Sequence, residues 1–119
     1  MKEKIEIQSV DYLREDSLAF ITEVSPRFVD LKAIGQNEKL ERIVTLWNKS
    51  STELKIEKIN VQGNYMKINS EMRVPANSTT DLKLSSNVAF PKGLFSFPVE
   101  IFFVGFPKPL IIMVNGEGF

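Results

Sequence analysis

The chain has 119 residues, 43% hydrophobic and 25% charged, a size and balance that fit one folded core and suggest neither a disordered nor a membrane class. Fifteen basic residues offset fifteen acidic ones, and no stretch gathers Lys and Arg into the stripe that phosphate neutralisation needs, so nucleic acid is not an expected partner. The sequence contains neither Cys nor His, which removes disulfides, thiolate nucleophiles, histidine-based proton transfer and the commonest metal-ligand sets; no catalytic residue, cofactor or metal is expected.

The first 16 residues carry charges throughout and no apolar run, so they read as neither signal peptide nor membrane anchor. If a signal peptide has been removed ahead of them, the expected compartment is the periplasm or the cell surface; otherwise it is the cytoplasm. Ile5, Ile7 and Val10 suggest one strand, and Leu18, Phe20, Thr22 and Val24 a second, with Arg14 to Ser17 as the turn between them. Asp11, Glu15 and Asp16 are the one acidic cluster, and a solvated turn explains them. Residues 1–27 are read as an N-terminal extension or as extra strands.

From Phe28 onward, short β-branched and aromatic runs alternate with turn clusters at sandwich or barrel spacing. The turns are expected at Gly35 to Asn37, Asn48 to Ser51, Gly63-Asn64, Pro75 to Ser78, Pro91 to Gly93 and Gly105 to Pro109. Between the first two, Leu40, Ile43, Val44 and Trp47 fall at helical spacing, with Asn37 placed to cap. Ile43-Val44-Thr45 favours a strand instead, so residues 37–47 have both readings, the strand preferred. As a strand they put Val44 and Leu46 on one face and Ile43, Thr45 and Trp47 on the other.

Leu54 and Ile56 share one parity, Ile59 and Val61 the other, and a bulge near Glu57-Lys58 would restore the register. Leu82 and Leu84 alternate with Asp81 and Lys83, as in a half-solvated strand. Phe95, Phe97, Val99, Ile101 and Phe103 recur at every second position. Pro98, which lacks an N–H, must lie at an edge, at a bulge or where its backbone faces outward. Val99 to Phe106, broken by Glu100 and Gly105, is the longest apolar run and is too short to span a bilayer. Leu110 to Val114 is apolar at every position, as expected of a central strand or one covered on both faces.

From Val29 to Gly118 this order of features resembles a bacterial family of unknown function related to the ASH and major-sperm-protein group of immunoglobulin-like domains. The residues that carry the resemblance are Val29 to Gly35, Ile43 to Ser50 with its strand, Asn and turn, and Leu54 to Ile59. They continue with Val74 to Ser78 leading into Leu82 to Leu84, the Gly93-Leu94-Phe95 strand entry and Pro109 to Gly116. Many relatives carry a Cys-Gly-Cys-like segment where this chain has Gly63-Asn64-Tyr65, so no function that depends on such a pair carries over.

The expected fold is all-β: an immunoglobulin-like antiparallel β-sandwich of about seven to nine strands, with residues 1–119 forming a single domain. The expected function is a non-enzymatic protein-binding, adhesion or assembly module that engages a protein partner through a sheet face or an edge strand. The alternative is a carbohydrate-binding module associated with a surface enzyme. Phe102, Phe106, Pro107 and Pro109 are the candidate docking patch, and Trp47 and Tyr65 the candidate sugar-stacking pair. Asn48-Lys49-Ser50 and Asn77-Ser78-Thr79 match the glycosylation acceptor pattern and read as turns in a bacterial protein. The oligomeric state is open.

Overall fold

The computed structural model describes residue 18, residues 20–35 and residues 37–119. Among the described residues nine strands follow in order: β1 (Thr22–Ser25), β2 (Phe28–Ile34), β3 (Glu41–Asn48), β4 (Leu54–Val61), β5 (Met66–Asn69), β6 (Arg73–Val74), β7 (Ser78–Ser86), β8 (Gly93–Phe103) and β9 (Leu110–Gly118). They form a four-stranded sheet in the order β1-β3-β7-β5 and a five-stranded sheet in the order β2-β9-β8-β4-β6. All pairs are antiparallel except β2 with β9, which run parallel. The sandwich is therefore mixed where an antiparallel one was expected.

The core follows from the alternation. Val44 and Leu46 on β3 and Leu82 and Leu84 on β7 point inward from one sheet. Phe97, Val99, Ile101 and Phe103 on β8 and Ile112 and Val114 on β9 meet them from the other. Each of these apolar residues is removed from water by the opposing sheet, the main favourable term in folding. The helical reading of residues 37–47 fails because Val44 and Leu46 are buried between Ile43 and Trp47, which are exposed; only a period of two does that.

The register of β4 shifts between Ile56 and Lys58, so Glu57 is the extra residue of a bulge. Leu54 and Ile56 are buried before it, and Ile59 and Val61 pack against the core after it. Pro98 sits within the five-stranded sheet, yet the last β4 pair is Val61 opposite Val99, so one side of its backbone has no strand beside it. β9 is central, as expected, but Ile111 is 41% exposed and covered on one side only.

At the start of the described chain, Leu18, Phe20 and Ile21 are helical, and strand begins only at Thr22. The strand expected from Leu18 is thus shortened to Thr22–Ser25, with Leu18 buried and its carbonyl accepting from the Thr22 hydroxyl. After the cis Ser25–Pro26 peptide the chain crosses from the edge of one sheet to the edge of the other. Ile5, Ile7, Val10 and the cluster of Asp11, Glu15 and Asp16 lie outside the described residues.

One end of the interior is filled by Tyr65, Phe90, Phe95 and Phe97. Phe90 stacks on Phe95 with centroids 5.2 Å apart, and Tyr65 lies 5.4 Å from Phe97. Phe95 needs bare backbone beneath it: a Cβ on Gly116 would come within 2.6 Å of its ring. The other end is closed by Asn48, which is fully buried. Its amide donates to the carbonyls of Thr52, Val74 and Pro75, and its oxygen accepts from the Ser50 N–H and hydroxyl. Those bonds tie the β3–β4 turn to the loop after β6, and they leave no free amide for glycosylation.

Candidate docking surface

The two sheets turn different surfaces outward. On the four-stranded sheet, Ile43 and Trp47 are exposed, and part of the polar surface around them is paired. Lys83 Nζ lies 3.0 Å from Glu41 Oε2, the Thr45 hydroxyl donates to Asp81 Oδ1 at 3.0 Å, and Lys49 Nζ stands 5.7 Å from the centre of the Trp47 ring. Such cross-strand pairs hold a solvated sheet face together and leave it little to offer a partner.

The outer face of the five-stranded sheet is more apolar. Strand register puts Phe28, Met113 and Pro98 side by side in one row across β2, β9 and β8. The next row holds Ile111, Glu100 and Asn60, and the row after it Phe102 and Lys58. Phe28 is 67% exposed, and Met113, Pro98 and Phe102 are half-buried by their neighbours. Lys58 Nζ lies 4.8 Å from the Phe102 ring centre, a cation–π contact. Among the described residues, neither Lys58 nor Glu100 forms an ion pair. A stripe of apolar side chains thus crosses three strands diagonally, with unpaired charges of both signs beside it.

The candidate patch from sequence divides. Phe102 belongs to this stripe, whereas Phe106 packs against the core and its amide closes a turn onto the Phe103 carbonyl. Pro107 is exposed and Pro109 half-buried, both in the loop before β9. Phe28 lies far from Met113 in sequence and only the parallel β2–β9 pairing brings them together, while the unbroken apolar run Leu110 to Val114 gives no sign of which face Ile111 and Met113 take. The sugar-stacking pair does not assemble. Trp47 faces outward on β3, while Tyr65 is committed to the aromatic stack of the interior.

The sheet edges are poorer docking sites than this face. β1, β5 and β6 span four, four and two residues. β2 is longer, but its register slips between Asp30 and Ala33, Lys32 has φ 61°, and the Lys32 N–H donates to Asp30 Oδ1. A bent strand that satisfies its own outward N–H is a blunted edge.

Thr22, Glu23, Val24, Arg27, Lys49 and Leu110 line an open hollow of about 290 Å³. Among the described residues, no three of the Asp and Glu side chains come together as a metal-ligand set, and no described helix is long and apolar enough to cross a membrane.

No protein-family model and no curated protein matches the sequence. Solved structures do. A protein of unknown function from Porphyromonas gingivalis aligns over 82% of this chain and 46% of its own, at 11% identity and a TM-score of 0.67. The seventh PapD-like domain of human CEP192, an ASH domain, aligns over 83% of this chain and 85% of its own, at 12% identity and 0.60. WR4, a Caenorhabditis elegans member of the MSP family, aligns over 83% and 98%, at 12% and 0.55.

The fold is an immunoglobulin-like β-sandwich, similar to those of the ASH/PapD-like and MSP domains. At these identities the likeness is one of fold alone, and this chain spans less than half of the Porphyromonas protein.

Proposed function

We propose that the chain is a non-enzymatic docking or assembly module that binds a protein through the outer face of its five-stranded sheet. The observation that carries this reading is the extent of the apolar stripe: on the four-stranded sheet Ile43 and Trp47 stand among the Glu41–Lys83 and Thr45–Asp81 pairs, whereas the five-stranded sheet presents Phe28, Met113, Pro98, Ile111 and Phe102 in one stripe across three strands. Apolar stripes of this kind, rimmed by polar groups, characterise protein-binding surfaces. The lack of Cys and His in the sequence fits a binding role better than a catalytic one.

Affinity capture from the source cell, run in parallel with wild type, a Phe28→Glu/Ile111→Glu variant and an Ile43→Glu/Trp47→Glu variant, tests the reading. A protein retained by wild type and the second variant but lost by the first is the expected result. Retention by the first and loss by the second would move the site to the other sheet. A glycan-array signal abolished at Trp47 would replace protein docking with sugar binding.

A further inference from the structure

The face proposed above for docking is complementary to itself, and we propose that a second copy of this chain covers it, forming an isologous dimer across the five-stranded sheets. This inference rests on that face being the docking surface and adds the identity of its occupant.

The argument comes from strand register. Lys58 and Phe102 share a row at one corner of the apolar stripe, where β4 meets β8. Phe28 and Asp30 lie at the opposite corner, on β2, three strands away and two and three rows along. With about 4.8 Å between strands and about 6.8 Å between same-face rows, the midpoint of the Lys58–Asp30 diagonal falls between Ile111 and Pro98.

A two-fold axis lying in the interface, through that midpoint and perpendicular to the diagonal, exchanges the two corners. It sets Lys58 against the partner's Asp30 and Phe102 against the partner's Phe28. Ile111 and Pro98 then fall close to their own copies in the partner. At the two corners base meets acid and ring meets ring, each contact occurring twice as an isologous interface requires, while the same axis lays Glu100 against the partner's Met113.

Two further features agree with this arrangement. A formal net charge of zero leaves no overall repulsion between copies. Lys58 carries no ion pair among the described residues, so its ammonium is available for the partner's carboxylate.

Sedimentation equilibrium of the full chain across about 1–500 µM tests the proposal, with circular dichroism confirming that each variant is folded. The expected result is a monomer–dimer equilibrium. Lys58→Asp and Asp30→Lys should each weaken it about tenfold, and the double exchange should restore it, because the pair is reversed and kept. Asp30→Asn preserves the oxygen that accepts the Lys32 N–H, so a loss of dimer in that variant reports charge and not edge structure.

A monomer at every concentration would overturn the proposal, as would a dimer indifferent to these substitutions or single-variant losses that the double exchange does not repair. A monomer that still captures another protein through Phe28 and Ile111 would refute the dimer and leave the docking reading standing.

Discussion

Asn48 shows how one polar side chain can organise an end of a sandwich. Its side chain makes five hydrogen bonds in a fully buried site, and no other residue at that position has both the donors and the acceptor in this geometry. Asn48→Ala would take the amide donor from three carbonyls, of which Thr52 keeps the Ser50 hydroxyl, and is expected to cost about 2–3 kcal/mol in urea denaturation. Phe102 and Phe103 give the sharpest contrast between neighbours. Phe103→Ala opens the core and should cost about 3–5 kcal/mol, whereas Phe102→Ala loses a surface cation–π contact and should cost about 1 kcal/mol or less. Gly118→Ala would drive a Cβ to 2.0 Å from the Pro91 carbonyl oxygen, and a loss of about 1–3 kcal/mol is expected from the same measurement.

At the scale of elements, the bulge of β4 is the clearest test of how register is set. Removal of Glu57 would leave Ile56, Ile59 and Val61 on the inward face of a regular strand, so the shortened chain is expected to fold and to unfold cooperatively. Loss of the cooperative transition would show that the extra twist at Glu57 is itself required. Strands with strict alternation were legible in the sequence: β7 and β8 follow from their apolar parity alone, and the Glu57-Lys58 bulge follows from the change of parity on β4, whereas β3 is favoured over a helix only by the β-branched Ile43-Val44-Thr45 run. The start of the fold was not. Leu18, Phe20 and Thr22 keep the parity of a strand, but Leu18 and Phe20 lie on a helical turn, and parity cannot separate the two when only three residues carry it. Of the stripe proposed for docking, the sequence singled out Phe102. Apart from Pro98 on β8, its other members come from β2 and β9, whose parallel pairing depends on the chain crossing between sheets after Pro26, a tertiary event with no local signature.

At the scale of the molecule, the two sheets share one core but differ in what they turn outward. The core is closed by residues that alternate inward, and the outward positions are then free to differ between sheets. One sheet carries a cross-strand ion pair and hydrogen bonds there, the other an apolar stripe. Blunted edges disfavour β-strand addition, and the proposed docking therefore uses side chains on a flat face. The most direct test is photocrosslinking in the source cell, with a benzophenone amino acid placed singly at Phe28, Ile111, Ile43 or Trp47. Docking through the five-stranded sheet predicts protein adducts from Phe28 and Ile111 and none from Ile43 and Trp47. Adducts confined to Ile43 and Trp47, or none at any of the four positions, would contradict it.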